Sequence, residues 1–163
     1  MESRFKLLGH PVHPILVVFP VGLFSATVIF DLGYLITGNA DLAIAAFWAA
    51  GLGILGGLGA ALFGLYDWLG LPRGTRARRI GLWHGSLNVV VVLLFILSWL
   101  SRTGDATYQP NLLPFLFALV GVGIALLTAW LGGELVYRLR VAVDEGAHLD
   151  APSSLSEGII RMR

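Results

Sequence analysis

The sequence predicts an all-α integral membrane protein: an up-down four-helix transmembrane bundle with both termini cytoplasmic. Three observations predict it. Of the 163 residues, 56% are hydrophobic and only 13% charged, where a soluble domain carries about 45–50% and about 25%. The apolar residues fall into four continuous runs, each long enough for the roughly 20 residues a spanning helix needs. Basic residues crowd into alternate loops, which fixes an orientation.

The first run, Pro14–Ile36, follows the stretch "LLGHPVHP". Pro11 and Pro14 each disfavour helix at the residue before them, His10 and His13. Both imidazoles therefore sit on a stiff segment at or just before the first turn, where proline is tolerated because first-turn N–H groups lack partners anyway. The run is too long for a signal peptide and no A-x-A-like cleavage site follows it, so the span is expected to be retained. The second run, Leu42–Leu69, carries Gly53, Gly57, Ala60, Gly64 and Asp67 on one helix face. Small residues at that spacing let helices approach closely within a membrane. The third, Ile80–Leu100, sets His84 and Asn88 on one face, with Gly81 and Gly85 flanking His84. The fourth, Leu112–Tyr137, aligns Gly123, Leu127, Trp130 and Glu134.

Continuous runs without alternation exclude an outer-membrane barrel. Loops of about four, ten and ten residues make successive helices antiparallel neighbours. Residues 1–140 form the transmembrane domain. The polar stretch 141–163, with its Pro, Ser and Gly, reads as a tail ordered only where a partner holds it. Arg4, Lys6, Arg73, Arg76, Arg78, Arg79, Arg138 and Arg140 lie on one side; the opposite loops hold Arg102 beside Asp41 and Asp105. The positive-inside rule puts the first side in the cytoplasm.

Ionisable groups within a membrane span mark function by default. His10, His13, Asp67, His84 and Glu134 bring an imidazole or carboxylate from all four spans to the cytoplasmic end at similar depth. Asp31, about 27 Å from His13 along the first span, is expected to reach out to the opposite headgroups. Three readings of the cluster follow. In the first, haem b lies between His13 and His84, with Asn88 beside it, its potential set by axial ligands and burial. Asp67 or Glu134 then accepts a bond from a ligand's other ring nitrogen, and Arg76 and Arg79, with Arg73 and Arg78, meet the propionates. In the second, His10, His13, Asp67, His84 and Glu134 hold a bare zinc, iron or manganese ion, for which imidazole and carboxylate are suited. In the third, the chain is a structural accessory subunit whose polar groups pair with one another, Asp67 and Glu134 with Arg73, Arg76 or Arg138.

The absence of cysteine excludes disulfides, thiolate metal sites and iron–sulfur ligation by this chain. No nucleophile–base–acid arrangement supports hydrolase chemistry, and a net charge of +1 carries no sign of nucleic-acid binding. The lipid bilayer is the partner these runs require; a homo-oligomer is left open.

The stretches "GHPVHPILVVFPVGLF", "GLYDW", "R-x-x-x-WHGSLN" and "AWLGGELVY" together resemble the bacterial membrane family called domain of unknown function 2231, over nearly the whole chain apart from the tail. The resemblance implies a multi-pass protein of the bacterial inner membrane. It also implies a redox setting, since some members look joined to Rieske-type iron–sulfur domains, but it brings no activity. Electron transfer is the role expected from the haem reading, with a Rieske-type or quinone-linked protein as redox partner. Similar proteins carry "YRHG" after "LVY", whereas here Arg138, Leu139 and Arg140 follow Tyr137. The resemblance therefore implies no ligand from that position.

Overall fold

The computed structural model describes residues 1–104, 107–157 and 160–162; Asp105, counted above with the outer loops, lies outside them. Four helices dominate: α1 Val12–Thr37, α2 Ala40–Leu69, α3 Arg76–Leu100 and α4 Leu112–Gly133. A π-helical turn, Glu134–Arg138, continues α4. At 26, 30, 25 and 22 residues, each helix can cross a bilayer. The chain is thus an all-α four-span membrane bundle.

Polar residues set the helix starts. The side chains of Asn39, Thr75 and Asn111 accept from the N–H groups of Asp41, Arg78 and Leu113 at 3.0, 3.2 and 3.2 Å, which satisfies donors that the first turn leaves orphaned. α1 ends at Gly38, whose φ of 70° is the left-handed conformation glycine adopts at least cost. Only Gly38 and Asn39 separate α1 from α2, a tighter reversal than the four residues expected.

α1 lies along α2, and α3 along α4, as two antiparallel hairpins that meet mainly through α2 and α3. Both termini emerge at one end of the bundle, called the terminal end below. Phe24, Ala50, Ile54, Val91, Phe95 and Ala118 make the buried core. At its centre the rings of Phe24 and Phe95 stack with centroids 3.8 Å apart and planes at 11°. Gly53 and Gly121 make room for them: a Cβ there would stand 2.7 and 2.8 Å from the two rings. Val18, Ile29, Leu55, Leu62, Leu82 and Leu126 are exposed on the outside, where lipid is the natural neighbour.

Asp31 corrects the sequence expectation. It does not reach the headgroups but is fully buried, accepting from Arg102 Nη1 and Nη2 at 2.6 Å each. Arg102 also donates to the carbonyl and hydroxyl oxygens of Ser98 at 3.2 and 2.8 Å. A carboxylate enclosed in a bundle must be paired, and Arg102, just past α3, is the charge within reach.

The tail is likewise held, by the chain's own amino-terminal segment. β1 Phe5–Leu7 pairs antiparallel with β2 His10–Pro11 and with β3 Ile160–Met162, giving the order β2-β1-β3. Gly53→Ala and Gly121→Ala should each lower the thermal midpoint in detergent, overpacking a tight core by about 1–3 kcal/mol. Gly22→Ala, where a Cβ meets nothing within 4 Å, should leave the midpoint in place.

Candidate functional site

His13 lies in the first turn of α1, and its Nδ1 is 2.8 Å from the carbonyl oxygen of Ala60 on α2. A carbonyl only accepts, so Nδ1 carries a proton, and in the neutral ring Nε2 is the nitrogen with a lone pair. His84 on α3 repeats the arrangement, with Nδ1 2.9 Å from the carbonyl oxygen of Thr128 on α4. Both rings are half-buried. They meet edge to face across the bundle, centroids 6.3 Å apart and planes at 86°.

Each imidazole rests on a glycine one turn beyond its carbonyl partner. A Cβ at Gly64 would come within 2.8 Å of His13 Cε1, and one at Gly132 within 3.3 Å of His84 Cε1. Any side chain at Gly64 would displace the His13 ring. Asn88, one turn along from His84, donates to the His84 carbonyl at 2.9 Å and has its Nδ2 3.3 Å from His84 Nε2. Its Oδ1 accepts from the Thr128 hydroxyl at 3.1 Å. The expected shared face of His84 and Asn88 is therefore present, and Thr128 ties it to α4. A cleft of about 370 Å³, lined by Pro14, Ala129, Gly132, Gly133, Val136 and Tyr137 among others, lies along α4, with neither imidazole in its lining. Gly132 both lines that cleft and backs His84.

The other candidates go elsewhere. Asp67 is buried, as its small-residue face predicts, but it accepts from the Ser3 hydroxyl at 2.8 and 2.9 Å and from the Arg4 N–H at 2.8 Å. Glu134 accepts from Arg76 Nη2 at 2.6 Å. His10 is exposed on β2, its Nε2 3.3 Å from the Ser154 hydroxyl. The expected five-member set thus does not assemble. Among the described residues, no three His, Cys, Asp or Glu side chains gather as a metal-holding group. Asp67 and Glu134 do not serve the imidazoles either: backbone carbonyls take that place, nearer and with no charge to bury. Arg78 donates to the Leu71 carbonyl at 2.6 Å and lies over the Trp68 ring. Arg76 and Arg79 are exposed, and Arg79 lines a second cleft with Trp68, Thr75 and Leu82. Sequence reasoning missed Ala60 and Thr128, because a backbone acceptor has no residue signature. The glycine four positions after each was the one available signal.

A clamp closes the terminal end. Lys6, buried, donates to Asp144 at 2.9 Å and to Glu2 at 3.1 Å, tying the amino-terminal segment to the start of the tail. The bond from Lys6 and a second from the Gly146 N–H hold the Asp144 carboxyl below its ordinary range. Lys6 and the Glu145 N–H do the same for Glu2. Burial works against the Lys6 charge, but its two carboxylate partners outweigh burial and raise its pKa.

Residues 9–145 match the family model described as a predicted membrane protein, DUF2231. Among curated proteins and solved structures, none matches this chain.

Carboxyls of lowered pKa lend stability that is complete above their unfolded pKa and lost as pH falls through the folded value. A lysine of raised pKa loses its share only in strong alkali. The protection of the amides of residues 1–11 against exchange, taken relative to the intrinsic rate at each pH in detergent, should thus hold through neutral pH and fall below about pH 4, where carboxylates protonate. The Lys6→Met protein should exchange fast in this segment already at neutral pH.

Proposed function

The chain belongs to the DUF2231 family of predicted membrane proteins, and from that premise we propose that it holds haem b between His13 and His84 and takes part in membrane electron transfer. One observation carries the reading: two imidazoles on different helices each commit Nδ1–H to a backbone carbonyl. That turns Nε2 to a ligand, that of His84 in place of its 3.3 Å contact with the Asn88 amide. Metal-ligating histidines almost always donate their other ring N–H to such a partner, which fixes the tautomer and the ring orientation. His13 and His84 are close neighbours, with ring centroids 6.3 Å apart, so one group could be held by both.

The donor set favours haem over a bare ion. A bare zinc, iron or manganese ion bound structurally takes about four protein ligands, and these two imidazoles have no third partner of their kind among the described residues. Haem fills four positions with its own nitrogens and asks the protein for two. When bound, it supplies one-electron transfer at a potential set by its ligands and their burial.

The protein's part is to hold and orient. The Ala60 and Thr128 carbonyls keep each ring from rotating and make Nε2 the donor. Asn88 braces His84 from the same helix and ties it to α4 through Thr128. Arg79 and, where Glu134 releases it, Arg76 are the exposed cations nearest in the chain to His84 that suit propionates. The basic residues at the terminal end favour placing it in the cytoplasm of a bacterial inner membrane. A quinone-linked or Rieske-type partner fits this role, with or without a second copy of the chain.

The visible spectrum of detergent-purified protein from haem-replete cells, with elemental analysis, tests the reading. A Soret band is expected, lost in both His13→Ala and His84→Ala and retained but shifted in Asn88→Ala. Colourless, iron-free protein overturns it, and stoichiometric zinc or manganese without a Soret band transfers the pair to a bare-ion site.

A further inference from the structure

One register relates the two hairpins. His13, Phe24, Thr27 and Asp31 of α1 each precede His84, Phe95, Ser98 and Arg102 by 71 positions. Ala46, Ala50, Gly53, Ala60 and Gly64 of α2 each precede Pro114, Ala118, Gly121, Thr128 and Gly132 of α4 by 68. The contacts repeat along with the residues. Each histidine bonds the carbonyl at the fourth position before a glycine and rests on that glycine. Each phenylalanine ring lies on Gly53 or Gly121. The Thr27 and Ser98 hydroxyls bond the carbonyls of Ala46 and Pro114 at 3.5 and 2.8 Å. Where α1 meets α3, equivalent positions touch each other: His13 with His84, Phe24 with Phe95, Asp31 with Arg102.

We infer that the chain is a duplicated two-helix hairpin closed about a two-fold axis parallel to the helices, and that the Asp31–Arg102 pair commits each hairpin to the other rather than to a like hairpin of a second copy. The axis makes the argument. A residue on it faces its own counterpart, so the histidine and phenylalanine contacts are self-complementary: they would form equally well between two copies of the first hairpin. Asp31 and Arg102 are not self-complementary. Two first hairpins would set Asp31 against Asp31, and two second hairpins Arg102 against Arg102. In each case an uncompensated charge would be buried with its like, the arrangement that costs most in a low-dielectric interior. Opposite charges at one equivalent pair of positions are enough to make the pairing one of each. This inference stands without the haem reading, since it uses neither Nε2 nor any ligand.

Equivalence of the two positions is what an exchange of charge tests in the full chain. Asp31→Arg and Arg102→Asp, made singly, should each abolish monodisperse protein in detergent or lower its thermal midpoint sharply. The double variant D31R/R102D should return to within about 4 °C of the parent, because the Thr27 hydroxyl stands to position 31 as the Ser98 hydroxyl stands to position 102. A double variant as unstable as the singles overturns the two-fold equivalence. The two single variants, co-expressed with different tags, should rescue one another and co-purify, an all-Arg chain exchanging hairpins with an all-Asp one. If the double variant is stable but the co-expressed singles never co-purify above the level of two tagged parent chains, the pair does not select hairpins and the inference falls.

Discussion

Close approach of helix backbones over small residues is the constraint on which this bundle depends. Lipid tails are as apolar as leucine, so burying apolar surface drives helices together far less in a membrane than in water; packing and interhelical bonds must do it. Gly53, Gly64 and Gly121 each receive a ring from the neighbouring helix at a distance that an unyielding Cβ would not allow, and Gly132 receives the His84 ring almost as closely. Those contacts hold α1 on α2 and α3 on α4. They also set how far Phe24, Phe95, His13 and His84 reach towards the middle.

From that spacing follows the way polar groups are satisfied. No water enters the hydrocarbon core, so each buried donor needs an acceptor within the protein. The Ser98 hydroxyl and the two imidazoles use carbonyls of α2 and α4, which the close approach brings within hydrogen-bond distance. The Thr27 hydroxyl shares its bond between Leu23 of its own helix and Ala46 of α2. The charged pair at the far end from the termini, Asp31 with Arg102, is bidentate and shares Ser98. It is the place where the two halves of the bundle differ most in chemistry while matching in position. A buried ion pair adds little net stability against an apolar alternative, but breaking it costs heavily. That asymmetry suits a device for pairing specificity better than one for strength.

The terminal end is organised differently. There Lys6, Glu2 and Asp144 fasten both ends of the chain together, and Ser3 with the Arg4 N–H takes up Asp67. A carboxylate that seemed free to serve a ligand is thereby spent on the chain's own amino-terminal segment. Glu134 is spent on Arg76 in the same way. What faces the bundle axis is a pair of equivalently held imidazoles.

The amino-acid sequence by itself determined the four spans, their antiparallel order and the packed face of α2, because run length and small-residue spacing act along one helix at a time. It also brought His13 and His84 to one level. It did not determine which acids stayed available: Asp67, Glu134 and Asp31 found partners 64, 58 and 71 positions away, and no local pattern encodes a contact of that range. The acceptors of both imidazoles are backbone carbonyls, which every residue carries and none advertises. The repeat was legible in principle at fixed offsets, yet few residues coincide at them; only the contacts, falling in the same places twice, made it visible. Tertiary structure decided these things because a two-fold axis relates positions in space, and a helix read singly has no axis to share.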